Sequence, residues 1–142
     1  MMKQRSSAVL IGALLAGAVG VAGAQGAGGK AQARIVSPKR DAVITGSSVQ
    51  VVLQAQGVEI APVADQKPGA AHFHLFLDTN LTPLDSAIPA GVPGIWHLGK
   101  GQTEFTLEVP PGAHRLIVEL GDNHHVPVKG AGTDTVKFTV KP

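Results

Sequence analysis

The sequence predicts an all-β domain, an antiparallel sandwich of about seven short strands. Three observations carry that expectation. No stretch beyond residue 33 sustains a 3.6-residue apolar period for three turns. Several stretches instead alternate apolar and polar residues with period two. The 18 glycines and 10 prolines cut the chain into short runs separated by turn signals. Strands patterned this way keep one face on a core and one in water, and two sheets of them close into an immunoglobulin-like sandwich.

The first segment stands apart. In residues 1–24, Lys3 and Arg5 precede an apolar and glycine run from Ala8 to Val21, and Ala22-Gly23-Ala24 follows as a small-x-small site. This is the pattern of a secretory signal peptide cut before Gln25. The run is glycine-rich and shorter than the roughly 20 strongly apolar residues of a stable span. The expected product is periplasmic or secreted, with no membrane attachment after cleavage. Cleavage there removes two of the 12 basic residues and none of the 10 acidic ones, leaving the domain close to neutral. A neutral domain has no basic field to attract nucleic acid. Both methionines leave with the segment and the chain has no cysteine, so no sulfur ligand, disulfide or thiol nucleophile remains.

Residues 25–33 (QGAGGKAQA) are small and polar and read as a flexible linker, with the sandwich domain over 34–142. Arg34–Ser37 and Ala42–Thr45 are short strands around a Pro38 turn. In 49–55, Val49, Val51, Leu53 and Ala55 share a face. In 71–78, Phe73, Leu75 and Leu77 share the core face. Residues 103–109 place Thr103, Phe105, Leu107 and Val109 together, and Glu104 and Glu108 fall in water. Residues 113–120 place Leu116, Val118 and Leu120 inside, and 136–140 place Val136, Phe138 and Val140 inside. The 79–101 segment is long and rich in Pro and Gly, a loop of the kind that packs as a lid or carries function. Trp96 within it reads as an anchor on the core.

The six histidines, all beyond residue 70, are the feature with chemical content. His72 and His74 are two apart on one strand and project from the face opposite Phe73 and Leu75. Their Cα atoms are about 7 Å apart at strand rise, close enough for two imidazoles to converge on one ion. Asp78 falls in phase with them. His97 follows the long loop, and Asp122, His124 and His125 follow the 113–120 strand, where loops can gather at one rim. The expected metal set is His72, His74, His97, Asp122, His124 and His125, with His124 favoured over His125 as the fourth imidazole. Imidazole and carboxylate without sulfur suit Cu(II) or Zn. His114, in phase with Leu116 and Val118, reads as a structural histidine hydrogen-bonded at a strand corner.

Catalysis finds less support. Ser37, Ser47, Ser48 and Ser86 are the serines beyond residue 24, and none sits in a Gly-x-Ser-x-Gly elbow. No glycine-rich loop joins a strand to a helix to cradle phosphate.

The segments His72–Asp78 (HFHLFLD), His97–Thr103 (HLGKGQT) and Leu107–Pro127 (LEVPPGAHRLIVELGDNHHVP), followed by a closing strand, resemble the bacterial family called domain of unknown function 4399. The resemblance implies a small exported β domain and carries no established activity. The last third is also similar to periplasmic copper-resistance proteins of the CopC type, immunoglobulin-like sandwiches in which an Asp-x-His contributes to Cu(II) binding. That likeness implies Asp122 and His124 as the matching pair. Those proteins add an N-terminal histidine, whereas the expected mature terminus here is Gln25, so a copper site would draw on His72, His74 or His97. The expectation is therefore an exported, non-catalytic binding module for Cu(II) or Zn. The alternative is a structural or protein-interaction module whose histidines only hold loops by hydrogen bonds, with an unidentified protein partner.

Overall fold

A computed structural model describes residues 29–142. The expected signal segment, 1–24, and the first part of the linker lie outside the described residues. Eight strands follow in order: β1 (Gln32–Ser37), β2 (Ala42–Thr45), β3 (Ser48–Gln56), β4 (His72–Leu77), β5 (Ile95–Leu98), β6 (Glu104–Glu108), β7 (Gly112–Gly121) and β8 (Asp134–Lys141). They form a three-stranded sheet, β1-β3-β6, and a five-stranded sheet, β2-β8-β7-β4-β5. A single turn of 3-10 helix, Val63–Asp65, is the helical content of the described residues. No helix among them is long and apolar enough to cross a membrane. This is the all-β, immunoglobulin-like sandwich expected from the alternation.

The alternation fixes the core. Val49, Val51, Leu53 and Leu107 from the small sheet meet Phe73, Leu75, Leu116, Val118, Leu120 and Phe138 from the large one, all buried. Trp96 packs partly buried against this core, as an anchor would. The sheets are antiparallel except for β2, which runs parallel to β8 from Ala42↔Phe138 to Thr45↔Lys141. An all-antiparallel expectation missed that pairing, because a four-residue strand shows its face but not its partner. The chain also enters the fold earlier than expected. Gln32 and Ala33 belong to β1, and Ala33 is fully buried in register with Ala55. Lack of bulk made Ala33 read as linker, yet its methyl group is part of the buried core.

The eighth strand, β5, lies inside the segment expected to be loop. It pairs with β4 over Phe73↔Leu98, His74↔His97, Leu75↔Trp96 and Phe76↔Ile95. Four residues bounded by Pro and Gly show too little periodicity to reveal themselves. The rest of the segment folds over the outer face of the five-stranded sheet. There Phe76, Ile117 and Ile88 form a second buried cluster, with Leu81 and Ile95 packed against it. The outer face of β4 is thus covered where a simple sandwich would leave it wet.

Core burial sets the stability scale. Phe73→Ala, which empties a fully buried site, should cost about 3–5 kcal/mol in urea unfolding. Val43→Ala, at a side chain 60% exposed on an edge strand, should stay within about 0.5 kcal/mol.

Candidate metal centre

The outer face of the five-stranded sheet carries one row of polar residues beside the Phe76–Ile117 cluster. β4 is flanked by β5 and β7, and its His74 lies opposite His97 on β5 and Glu119 on β7. One step along, His72 lies opposite Gly121. Directly opposite residues in an antiparallel pair project from the same face with Cβ atoms about 4.5–5.5 Å apart. Three strands therefore bring His97, His74 and Glu119 side by side, and β4's own alternation adds His72.

The rings converge. Ring centroids are 4.6 Å apart for His72–His74, 4.7 Å for His72–His97 and 5.1 Å for His74–His97. One ligating nitrogen from each of the three lies within 4.8 Å of the others. A fourth ring, His125, stands 4.6 Å from His97 and 5.2 Å from His72. Its backbone takes a left-handed φ of +62°, a conformation that non-glycine residues adopt sparingly. The turn that holds it is tied by Asp122, whose Oδ1 accepts the His124 and Val126 N–H groups at 2.8 and 3.0 Å. The His125 N–H donates to the Asp122 carbonyl at 2.9 Å, and the His125 carbonyl accepts the Ile88 N–H at 2.8 Å. The covering segment and the 122–127 turn are thus joined at the residue that delivers the fourth ring.

Two glycines make room. A Cβ on Gly121 would stand 2.5 Å from His74 Cε1 and 2.8 Å from its Nδ1. A Cβ on Gly99 would stand 2.6 Å from His97 Nε2. Each imidazole therefore lies on bare backbone where any side chain would push it away.

The two inner rings of the cluster are dry and unsatisfied. His72 and His74 are each 1% exposed. His72 Nε2 and both ring nitrogens of His74 are buried without a hydrogen-bond partner among the described residues. A buried polar group left unpaired costs about 1–3 kcal/mol. Burial, then the proximity of the His97 and His125 rings, pulls the His72 pKa down to about 4, against a smaller upward pull from Asp122. Burial, then His72, His97 and His125, pulls His74 down to about 3. His97 is lowered as well, by burial and then by His125. All three are neutral at pH 7, which is the metal-binding form of imidazole.

The six residues expected at the site divide. His72, His74, His97 and His125 come together. His124 is exposed at the tip of the turn, outside the set of mutually close rings. The choice between adjacent histidines rests on which residue takes the left-handed turn conformation, and strand periodicity does not reach that far. Asp122 spends Oδ1 on the turn and lies outside the group of converging ligand atoms. Asp78 is at a different place altogether. β4 ends at Leu77, and a φ of +55° at Asp78 breaks the alternation that would have put it beside the histidines. Its Oδ2 lies 2.6 Å from His114 Nδ1, and its Oδ1 accepts the Arg115 N–H at 2.8 Å.

His114 is structural, as expected. Its Nε2 lies 2.7 Å from the Pro110 carbonyl, an acceptor only, so this nitrogen donates. Burial lowers its pKa, but the Asp78 hydrogen bond, the Pro110 carbonyl and the Asp78 charge together raise it on balance. Both partners favour the protonated ring, which pins the β4–β7 corner.

Glu119 escaped the sequence reading. It is 3% exposed, its Oε2 has no partner among the described residues, and burial pushes its pKa up to about 7. The signal was present: a carboxylate inside LIVEL, on the face opposite Leu116, Val118 and Leu120.

What fold and site define together is a small β-sandwich carrying a buried cluster of imidazoles on the outer face of one sheet. The chain belongs to the family described as Domain of unknown function (DUF4399), whose profile matches residues 51–141, a span that holds all six histidines. No curated protein sequence matches. Among solved structures, the fibronectin(III)-like modules of Clostridium thermocellum CbhA are similar at 18% identity and a TM-score of 0.49, covering 79% of this chain and 47% of that one. The apo form of the Calx CBD1 domain is similar at 12% identity and a TM-score of 0.36, covering 80% of this chain and 100% of that one. The chain thus spans about half the length of the CbhA structure.

The buried neutral imidazoles make acid sensitivity predictable. The unfolded chain takes up protons at His72 and His74 below about 6.5, whereas the folded, metal-free domain resists until about 4 and 3. Stability should therefore fall as pH drops through that window. Glu119 acts in the opposite sense between about 7 and its ordinary 4.5, as does the raised His114, but the lowered His72, His74 and His97 outweigh them. Urea midpoints of metal-free protein at pH 7.5, 5.5 and 4.5 check this, with a steeper decline expected for Glu119→Gln.

Proposed function

We propose that this domain is an exported, non-catalytic module that binds a divalent transition metal, Cu(II) or Zn, through His72, His74 and His97, with His125 as the fourth imidazole. One observation carries the reading: three ligating nitrogens lie within 4.8 Å of one another, and buried imidazole nitrogens there have no hydrogen-bond partner. Folding places these groups together at a cost, and an ion is the ligand that satisfies several lone pairs at one point. The donor set is all nitrogen without sulfur, which suits Cu(II) or Zn over Cu(I) or the hard oxygen-seeking ions. Three converging imidazoles with the His125 ring beside them favour a closed site, the kind that holds an ion, over one keeping a coordination position for a substrate. The positive, apolar and small-x-small pattern of residues 1–24 supports export.

The alternative, histidines that only fix loops, describes His114, which makes two hydrogen bonds through its ring. It does not describe His74, whose ring makes none among the described residues.

Calorimetric titration of the domain from residue 25 onward with Cu(II) and Zn should show one saturable site with Kd below about 10 μM. The His72→Ala, His74→Ala double variant should lose it, and His124→Ala should keep it. Titration without saturation, or binding equal in the double variant, overturns the reading.

A further inference from the structure

Glu119 has no place in the set of converging nitrogens, yet it is held in the same dry patch. It lies directly across from His74 on the neighbouring strand, with its side chain on the same face. Both residues are buried, and both keep unpartnered polar atoms: Nδ1 and Nε2 on His74, Oε2 on Glu119. The His74 ring leans towards the strand that carries Glu119, since its Nδ1 and Cε1 overhang Gly121, two residues further along β7. The carboxylate is outside the group of ligand atoms that lie mutually within 4.8 Å, so it is not placed as a ligand itself.

An imidazole that gives one nitrogen to an ion still has an N–H on the other. In a buried site that N–H needs an acceptor, which fixes the tautomer and the ring plane and makes the ligating nitrogen more basic. We propose that Glu119 is that acceptor: a positioning residue that takes the free N–H of His74 when His74 ligates the metal. The inference rests on the metal-binding reading above and adds to it the group that orients one of its two buried ligands. It also accounts for a carboxyl group in a place where an apolar side chain would fold more easily. The chain tolerates an unpaired acid in the empty site because the filled site uses it.

The two roles open to Glu119 leave opposite signatures. Glu119→Leu removes a buried, unpartnered carboxyl and fills the same space with carbon, so the metal-free variant should unfold at equal or higher urea than the parent. The same variant should bind Cu(II) about 10–100-fold more weakly, the usual effect of removing such a partner. Its Cu(II) electron paramagnetic resonance spectrum should also shift, as the His74 ring loses its fixed plane. Glu119→Gln keeps an acceptor oxygen without the charge and should fall between parent and Glu119→Leu in affinity. It serves as the readout if the leucine variant fails to fold. Parental affinity with an unchanged spectrum in the leucine variant, or in the glutamine variant where the leucine variant does not fold, overturns the proposal while leaving the metal site standing. Retention of binding by the His72→Ala, His74→Ala double variant instead overturns the metal reading itself.

Discussion

Imidazole rings withdrawn from water without hydrogen-bond partners are the constraint around which the outer face of the five-stranded sheet is arranged. His72 and His74 project from β4 on the side where an open sandwich would meet solvent, yet they are sealed. β5 supplies a flanking strand and a third ring, the 122–127 turn supplies a fourth ring, and next to them the 79–94 segment lays Ile88 and Leu81 on Phe76 and Ile117. Gly121 and Gly99 are bare because rings lie on them. The main core between the sheets draws mostly on the inward phase of the strands and shares only β5 with this arrangement, through Leu98 and Trp96.

The same constraint separates two kinds of histidine in one small domain. His114 is locked between a carboxylate and a carbonyl, partners that favour its protonated form. His72 and His74 have neither partner and are held neutral by burial and by the neighbouring rings. Neutral imidazole with an unpartnered ring nitrogen is the form that accepts a cation, whereas the satisfied ring at the β4–β7 corner is spent on structure. Residue type is the same in both; the environment decides the chemistry.

Much of this was legible in the residues. Alternation in 49–55, 103–109, 113–120 and 136–140 predicts the inward faces, and the His-x-His spacing predicts that His72 and His74 point away from them. What was not legible is long-range or short-range in a way that periodicity does not encode. β5 is too short to alternate, and its pairing with β4 is what places His97 beside His74. The parallel pairing of β2 with β8 depends on a partner almost a hundred residues away. The choice of His125 over His124 turns on one backbone dihedral. Glu119 was visible in sequence as an acid in an apolar run, but its meaning required knowing that the outer face of β7 is covered. Asp78 shows the reverse error: an in-phase residue lost to the site because the strand stops one position before it.

The covering segment and the turn that follows β7 are stitched to each other through the Ile88 amide and the His125 carbonyl. His97, by contrast, sits exposed on β5, at the free margin of its sheet. His72 and His74 are sealed, and of the three converging rings His97 is the one that meets solvent. The buried pair therefore has its nearest solvent-facing neighbour at the free margin of the sheet, and that margin is the doorstep between the cluster and its surroundings.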